Sequence, residues 1–331
     1  MHPLKLKLFI RVGLELIRLY CYLRQPRNRE RIIAIFLMVP ALLFLVPSYT
    51  FLLTLFQSFL FQAMLVYGFL SCYWVIKKHY RLTGLNFTIF MLLLVKINGP
   101  MSTSYEPIAN GESLKILQLN LRVGNQAHDQ TIERMLQISP DFITLQEVGF
   151  DWATSLEKGL SKAYPYYHIA RNKDEGQGNA VFSKYPLHHV EEIRWKGTSN
   201  IVGNVSVNGN PVSFVSLHTR SPGNKRRWRS RNAHLNWVKG LIKDTPGELL
   251  VLGDFNTVPW DKRLIHFKAE TELEDSRKSL MPTFPAWNPF VAQIPIDYIL
   301  HSNGIGCDSL GSVSITSDHK AILGSFSILK N

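Results

Sequence analysis

The sequence contains only three cysteines among its 331 residues, Cys21, Cys72 and Cys307. Since Cys307 is the only one beyond residue 100, no disulfide can form within the C-terminal part of the chain. No Cys-x-x-Cys pair is present, which excludes the usual thiolate zinc sites and thioredoxin-like redox motifs. The cysteines therefore neither require nor exclude an oxidising compartment.

Acidic residues are scarce in the first hundred positions, where 12 lysines and arginines accompany only two acidic residues. These positions carry +10 of the formal net charge of +12, so the rest of the chain is close to neutral. A sequence pI of about 9.6 often indicates a nucleic-acid partner. Here the excess charge lies in the N-terminal third, so the pI is no argument for such a partner.

Charge is absent altogether from position 32 to position 76. A single helix of that length would extend about 68 Å, whereas the hydrocarbon core of a bilayer is about 30 Å thick. The run is interrupted at Pro47, which predicts two membrane-spanning helices joined by an uncharged turn. A third apolar run contains Lys96, whose long side chain can reach the membrane interface. The predicted transmembrane region is 32–97, with helices at 32–47, 57–76 and 82–97.

Lysine and arginine are concentrated before the first predicted span and in the loop after the second, whereas the turn between these spans has none. The positive-inside rule therefore places residues 1–31 and that loop in the cytoplasm. An odd number of spans puts the remaining chain on the opposite side, which in a bacterium is the periplasm. The prediction is a multi-pass protein of the bacterial inner membrane with an extracytoplasmic C-terminal domain.

Residues 1–31 have two interpretations, an amphipathic helix at the membrane interface or an ordinary basic cytoplasmic tail. The first rests on charged residues at helical spacing on one face, which are Lys7, Arg11, Glu15 and Arg18. A cleaved signal peptide is disfavoured because no small-residue cleavage site follows the first apolar run. For 32–97 the alternative is a buried helical bundle, against which the long uncharged run argues.

Residues 98–112 are rich in turn formers and are interpreted as a linker. From 113 to 331, short β-like runs alternate with helical patterns, which predicts one α+β domain with sheets between helices. Strands are predicted at 114–121, 141–146, 179–183, 200–207, 212–218, 248–253, 296–301 and 321–328. Helices are predicted at 128–139, 150–162 and 224–243.

Polar side chains recur at the points where the predicted strands begin or end. A rigid sheet can present such residues to a ligand as a group. Carboxylates and amides without thiolates suit a hard, oxygen-binding cation such as Mg²⁺. The residues are Asn120, Glu147, His218, Asp254, Asn256, Asp297, Asp318 and His319.

Each of these residues alone has a simpler explanation. A glutamate after a strand is usually a loop residue, and Gly-Asp-Phe-Asn could be a turn whose Asp and Asn bond their own backbone. Ser-Asp-His could be a cap. It is the ordered combination of strand ends that favours a functional site.

Seven motifs follow one another along the chain: Leu-Asn-Leu, Leu-Gln-Glu, Gly-Asn-Ala-Val-Phe-Ser, Ser-Leu-His, Gly-Asp-Phe-Asn, Ile-Asp-Tyr-Ile-Leu and Ser-Asp-His. Together they resemble the endonuclease/exonuclease/phosphatase superfamily over about residues 113–328. The chain looks most like bacterial members that carry three membrane spans before this domain. The resemblance implies a four-layer α/β/β/α sandwich like that of DNase I, and hydrolysis of phosphate esters by in-line attack of water.

The same resemblance implies a metal site. Glu147 would ligate the metal, with Asn120 and Asp318 as further ligands, and Mg²⁺ would be the cofactor with Mn²⁺ as an alternative. Some nucleases of the superfamily have an aspartate two residues after the first asparagine, where this chain has Arg122. That departure weakens the case for a second metal ligand there.

The catalytic roles are also implied by the resemblance. Asp254 would accept a proton from the attacking water, and Asn256 would orient the scissile phosphate. His319 would donate to a phosphate oxygen as charge builds, with Asp297 as its orienting partner, and His218 would donate a further hydrogen bond. These groups are the types that phosphoryl transfer needs around a negatively charged substrate.

Substrate contacts are predicted at Asn179, Arg122 and Arg227. The alternatives are that Asn179 is a turn residue whose amide bonds the backbone, and that the two arginines are solvated surface side chains. Arg227 belongs to a basic stretch comprising Lys225, Arg226, Arg227, Arg229 and Arg231. This stretch could bind an anionic substrate, DNA or lipid headgroups. The alternative is a solvated helix face whose opposite side packs inward through Trp228, Leu235, Val238 and Ile242.

The predicted function is a membrane-anchored, metal-dependent phosphoesterase acting on phosphodiester or phosphomonoester bonds, with an endonuclease among the options. The alternatives are a lipid or inositol-phosphate phosphatase and a non-catalytic, membrane-tethered binding module. The expected partners are a phosphate-ester substrate and the lipid bilayer, with nucleic acid left open and no protein partner inferred.

Overall fold

The computed structural model describes residues 11, 14–18, 20–22, 24–101, 108–109, 111–170, 178–243 and 245–329. Much of the predicted N-terminal helix or tail, and the middle of the predicted linker 98–112, lie outside these residues. The chain divides into two compact units. One consists of Met1–Pro47 and Leu60–Val95, the other of Ser48–Phe59 and Lys96–Asn331.

The N-terminal helices are α1 (Pro26–Leu45), α2 (Phe51–Gln57), α3 (Leu60–Ile76) and α4 (Tyr80–Asn98). In the first unit, the Tyr67 hydroxyl donates to the Leu37 carbonyl at 2.7 Å and links α3 to α1. Among the described helices, α4 is long and apolar enough to cross a membrane. Helices α2 and α3 would make a second span only if this pair, bent by 56°, acts as one. Because the core helix of a soluble protein can pass the same test, the support for the predicted transmembrane region is weak.

The second unit contains two mixed sheets of six strands. The first has the strand order β11-β12-β1-β2-β4-β3, and the second has the order β5-β6-β7-β8-β10-β9. The strands are β1 (Glu112–Asn120), β2 (Phe142–Val148), β3 (Tyr166–Ile169), β4 (Gly178–Ser183), β5 (Leu187–Trp195), β6 (Thr198–Val207), β7 (Asn210–His218), β8 (Glu248–Asp254), β9 (Glu274–Asp275), β10 (Asp297–His301), β11 (Ile305–Val313) and β12 (Ala321–Ile328). The patterns in the sequence do not predict β3, β5, β9 or β11.

Helices cover the outer face of each sheet, and they are α5 (His128–Ile138), α6 (Phe150–Leu160), α7 (Lys225–Ile242) and α8 (Lys262–Thr271). Buried side chains of α5 and α6 pack on the first sheet, and those of α7 and α8 pack on the second. A third apolar cluster fills the space between the two sheets. These layers make the predicted α/β/β/α sandwich; α8 is the helix that the sequence does not predict.

Each sheet contains one parallel pair, β1 with β2 and β7 with β8. Parallel neighbours need a crossover connection, which α5 provides in the first sheet and α7 in the second. The carboxyl ends of both parallel pairs therefore carry the loops in which the polar motifs lie.

The segment Ser48–Phe59 belongs to the same unit as the sandwich. Thr54 of α2 accepts a hydrogen bond from Trp228 Nε1 at 3.2 Å, and the Gln57 carbonyl accepts one from Trp260 Nε1 at 2.7 Å. The Lys262 ammonium contacts the Tyr49 hydroxyl. The region predicted as an uncharged turn thus includes a short helix that packs on the sandwich.

Candidate active site

The strand ends bring most of the predicted polar residues to one edge of the sandwich. Asn120 ends β1, and His218 and Asp254 are register partners at the ends of β7 and β8. Asp297 begins β10 opposite Asp254. These ends surround a cavity of about 410 Å³. Its lining is Glu147, His218, Thr219, Arg220, Ser221, Arg227, Asp254, Asn256, Phe284, Ile296, Asp318 and His319.

The backbone at this edge has conformations that ordinary strands do not. Glu147 has φ +58° at a bulge in β2, and Asn256 has φ +48°. Gly253 has φ +141°, and a Cβ there would lie 1.8 Å from the Leu217 carbonyl oxygen. Only glycine tolerates that approach of β8 to β7, which explains why glycine precedes Asp254.

Asn120 is fully buried behind the cavity and connects two carboxylates. Its Nδ2 donates to Glu147 Oε1 and to Asp254 Oδ2, both at 3.1 Å. Its Oδ1 accepts from the backbone N–H of Arg122 at 3.0 Å. In this arrangement the amide nitrogen faces the carboxylates, so Asn120 holds Glu147 in place.

Asp254 is the most buried carboxylate on the cavity wall, with 1% exposure. It accepts hydrogen bonds from the backbone N–H of Asn256 at 2.8 Å and from Asn256 Nδ2 at 3.1 Å. His218 Nε2 lies 3.6 Å from Asp254 Oδ2. Burial, together with the negative charge of Asp297, raises the pKa of Asp254 to about 8. A carboxylate with a pKa in this range can take up a proton near neutral pH.

His319 and Asp297 form a buried pair. His319 Nδ1 lies 2.8 Å from Asp297 Oδ2, and Gln118 Nε2 donates to Asp297 Oδ1 at 3.2 Å. Burial alone would lower the pKa of His319, but the charge and hydrogen bond of Asp297 outweigh it and raise the pKa to about 10. The imidazole is therefore cationic at neutral pH, and its Nε2, 3.8 Å from Asp254 Oδ2, faces the cavity. The Phe284 ring lies 4.8 Å from the His319 ring.

Glu147 and Asp318 supply oxygen atoms to the cavity wall that suit a hard cation. Burial works to raise the pKa of Glu147, but His218 and the hydrogen bonds from Asn120 and the Val123 N–H lower it overall. Burial raises the pKa of Asp318, and the negative charge of Glu147 adds to this rise. Mutual repulsion of two carboxylates is what a bound divalent cation relieves, so these residues fit a metal.

A second group could hold an ion by distance alone. Ligand atoms of Asp254, Asp297 and His319 lie within 4.8 Å of one another, and all three residues are buried. In this group His319 Nδ1 is already bonded to Asp297, whereas the carboxylates of Glu147 and Asp318 line the open cavity.

Two of the three predicted substrate contacts lie outside the cavity lining. Asn179 is fully buried and donates to the carbonyls of Ser199 and Ser216, at 2.9 and 3.4 Å, so it links the two sheets. Arg122 is half-exposed beside the cavity, with its guanidinium 3.8 Å from Asp318 and 5.3 Å from the Trp287 ring centroid. The third, Arg227, does line the cavity.

The basic stretch divides into two faces of α7. Arg231 is 1% exposed, and it donates to Asp261 at 3.1 Å and to the Asn256 carbonyl at 3.0 Å, so it is a structural residue. Buried residues of the same face confirm the predicted inward packing, and they are Trp228, Leu235, Val238 and Ile242. The other arginines of the stretch are exposed.

Sequence reasoning misses several residues of the cavity. Arg220 lies two residues after His218, so its position after a strand is a signal that could have identified it. Phe284 has no such signal, because only the folded chain brings its loop to the cavity. Ile296 is the apolar residue directly before Asp297.

Comparison with known proteins shows the family. The model of the Endonuclease/Exonuclease/phosphatase family matches residues 117–319. No curated protein matches the sequence. Similar solved structures include a TDP2 from D. rerio complexed with single-strand DNA product, at 17% identity and a TM-score of 0.55, covering 65% of this chain and 99% of that one.

Two further solved structures have the same fold. Sphingomyelinase C from Streptomyces griseocarneus is 17% identical with a TM-score of 0.52, and the match covers 64% of this chain and 99% of that one. A family protein from Bacteroides thetaiotaomicron is 19% identical with a TM-score of 0.55, covering 67% and 100%. At such identities these likenesses show the fold alone. With the family model matching more than half of its residues, this chain belongs to the endonuclease/exonuclease/phosphatase family.

Proposed function

We propose that this protein is a membrane-anchored hydrolase of phosphate esters that uses a divalent cation, Mg²⁺. The observation that carries the proposal is the arrangement of one cavity wall, where the buried Asp254 carboxylate lies 3.8 Å from His319 Nε2 and 3.6 Å from His218 Nε2, with Glu147 and Asp318 on the same wall. A carboxylate that can accept a proton thus lies next to imidazoles that can donate hydrogen bonds to a phosphate. A binding module without catalysis would not need a buried carboxylate at that position.

Asp254 is the proposed general base. Water attacks the phosphorus atom in line with the leaving oxygen, and Asp254 takes a proton from that water. The Asn256 and Asn120 amides donate to the Asp254 carboxylate and hold its orientation. Asn256 itself is held by its bond to the Thr219 carbonyl at 2.8 Å, which fixes its amide at the cavity wall.

His319 stabilises the negative charge that builds on the phosphate oxygens. Its Nδ1–H donates to Asp297, so Nε2–H is left to donate into the cavity. Asp297 is a positioning residue, since it is fully buried and does not line the cavity. His218 lines the same wall and donates a further hydrogen bond, while Arg227 and Arg220 add positive charge at the rim.

Glu147 and Asp318 would hold the metal, with Asn120 keeping Glu147 in position. The cation supplies Lewis-acid stabilisation of the phosphate. The oxygen-only donor set favours Mg²⁺ or Mn²⁺ over zinc. Neighbours of the same fold include a protein solved with a DNA product and a sphingomyelinase, so the site is compatible with nucleic-acid and with lipid phosphodiesters.

The purified full-length protein in detergent is expected to hydrolyse bis-p-nitrophenyl phosphate with Mg²⁺, to stop with excess EDTA and to resume when Mg²⁺ is restored. Glu147→Gln should raise the Mg²⁺ concentration for half-maximal rate, because an amide oxygen is a poorer ligand than a carboxylate. The increase should be at least roughly tenfold, since even second-shell changes cost that much metal affinity.

Glu133→Gln is the matched control for this variant, because Glu133 is an exposed carboxylate on α5 that does not line the cavity. It should titrate with Mg²⁺ as the wild type does. Absence of hydrolysis in the wild type would favour the binding module, whereas a wild-type Mg²⁺ titration for Glu147→Gln would remove Glu147 from the ligand set.

The proposed location is the inner membrane of a bacterium, with the sandwich outside the cytoplasm. Positive residues flank the predicted spans on the side opposite to the sandwich. The contacts of Thr54 and Gln57 with the sandwich are a second argument. In the predicted topology α2 lies in the extracytoplasmic connection between the first and second spans. Because α2 contacts the sandwich, the sandwich must lie on that same side of the membrane. The third span carries the chain back to the same side.

Reporter fusions test this location in a bacterial host. Alkaline phosphatase fused after residue 331 should be active, and green fluorescent protein at the same position should be dark, because the first needs the periplasm and the second does not fold when exported unfolded. Fusions after His79, in the loop after the second predicted span, serve as the control and should give the reverse. A bright fluorescent protein at the C-terminus would contradict the three-span topology.

A further inference from the structure

A second cavity adjoins the catalytic one and is basic. Its volume is about 750 Å³, and the cations on its wall are Lys196, Arg220, Arg226, Arg227 and Arg229. Arg220 and Arg227 line both cavities, so the two are adjacent. We call these five residues the cationic cleft.

In the part of the chain that the structure describes, no ion pair involves a member of the cationic cleft. By contrast, the buried arginines elsewhere in the sandwich have partners: Arg231 pairs with Asp261 at 3.1 Å, and Arg277 pairs with Asp275 at 2.9 Å. These two arginines, which are buried within the fold, are each paired with an aspartate. Five cations without one raise the local potential and attract an anion.

Arg220 joins the two cavities and has an unused donor. Its Nη2 donates weakly to the Lys196 carbonyl at 3.4 Å, while its Nε is buried without a hydrogen-bond partner. A buried donor left unpaired costs free energy unless a ligand or water satisfies it. An oxyanion at the junction of the cavities would do so.

The positions of the cleft residues are set by packing elsewhere. Arg226 and Arg229 lie three residues apart on one face of α7, and the opposite face is buried through Trp228 and Leu235. The Asn224 side chain caps α7 by accepting from the Arg227 N–H at 2.9 Å. Lys196 comes from the turn between β5 and β6, where its ammonium lies 4.9 Å from the Trp195 ring centroid. The cleft is therefore built from two separate parts of the chain.

We infer that the cationic cleft binds a second phosphate group of the substrate while the first is hydrolysed in the catalytic cavity. The inference rests on the proposed phosphoesterase function. Arginine forks match the oxygens of phosphate, and Ala233 is the one apolar side chain on the wall, which argues against an acyl chain or a base in this cavity. The second phosphate could be the next phosphodiester of a nucleic-acid strand or a phosphomonoester on a multiply phosphorylated headgroup.

The test compares substrates that differ only in the second phosphate. The first arm uses thymidine 5′-(p-nitrophenyl phosphate) with and without a 3′-phosphate, and the second uses glycerophosphoinositol with and without ring phosphates. For full-length wild-type protein in detergent, the additional phosphate should raise kcat/KM in one arm. The double variant Arg226→Ala with Arg229→Ala should lose that advantage. Its kcat/KM for the substrate with the second phosphate should fall at least roughly tenfold, because charge-assisted hydrogen bonds are lost. The arm that responds identifies the source of the phosphate.

Lys225→Ala with Lys243→Ala is the matched control, because it removes two exposed charges of the same helix region that do not line the cleft. This control should keep the advantage and should hydrolyse bis-p-nitrophenyl phosphate at the wild-type rate. If neither arm shows an advantage in the wild type, or if both double variants lose it equally, the inference is wrong.

Binding of inorganic pyrophosphate, measured by calorimetry, separates this inference from the proposed function. Tighter binding to the wild type than to the Arg226 and Arg229 variant supports the cleft even if no substrate is hydrolysed. Equal binding to both proteins contradicts the inference even if the phosphoesterase activity is present.

Discussion

Replacing Asp254 with asparagine is expected to reduce kcat by roughly 10²–10⁴-fold, the usual effect of losing a general base. Asparagine keeps the volume of the side chain. It can still accept a hydrogen bond from the Asn256 N–H, which in the wild type donates to Asp254 Oδ1 at 2.8 Å. It cannot take up the proton of the attacking water. The measurement is steady-state hydrolysis of bis-p-nitrophenyl phosphate at saturating Mg²⁺, so that a change in metal affinity does not contribute.

The fold of this variant should be retained, because asparagine matches aspartate in shape and replaces a carboxyl group whose charged form is disfavoured by burial. Circular dichroism and thermal unfolding should therefore be close to wild type. Asp151→Asn is the matched control, since Asp151 is an exposed aspartate in the first turn of α6. Activity near wild type in Asp254→Asn would remove Asp254 from the mechanism.

Replacing His319 with glutamine is expected to reduce kcat by roughly 10²–10³-fold, the range seen when one donor to a developing oxyanion is removed. Glutamine is similar in size but neutral, so the cationic donor at Nε2 is lost. KM should change less than kcat, because the interaction strengthens as negative charge builds in the transition state. The exposed His188, replaced in the same way, is the control.

Loss of His319 also leaves the Asp297 carboxylate buried without its partner, which can cost up to about 3–5 kcal/mol of stability. In the wild type Asp297 is fully buried, and its Oδ2 lies 2.8 Å from His319 Nδ1. Adding Asp297→Asn to the His319 variant removes this unpaired buried charge. The double variant should regain thermal stability but not activity. If activity returns together with stability, His319 acts only on the fold and has no catalytic role.

The strands that the sequence predicts are the inner strands of the two sheets. An inner strand is hydrogen-bonded to a neighbour on each side and buried on both faces. Its sequence is therefore a nearly continuous apolar run, as in β8. The four strands that it does not predict are β3, β5, β9 and β11, and each lies at the edge of a sheet. Edge strands are partly exposed and carry polar residues, as in β5, so their pattern is weak.

The cavity residues at strand ends follow from the same signal. Once the inner strands are known, Glu147, His218 and Asp254 are the polar residues directly at their ends, and parallel neighbours place such ends at one edge. Asn179 has the same kind of position in the sequence, yet its amide is bonded to the carbonyls of two strands in the other sheet. The direction of a side chain relative to a facing sheet is not encoded in a local pattern.

The amino-acid sequence by itself determined the family, the sandwich and most of the residues that line the candidate active site, because buried strands and their polar ends are local features. Only the tertiary structure decided which arginines of the basic stretch serve the fold. Arg231 is paired with Asp261 inside the sandwich, whereas Arg226 and Arg229 face Lys196 across a cleft. These residues lie far apart along the chain, and their proximity depends on how α7 packs against the second sheet, which no pattern of neighbouring residues records.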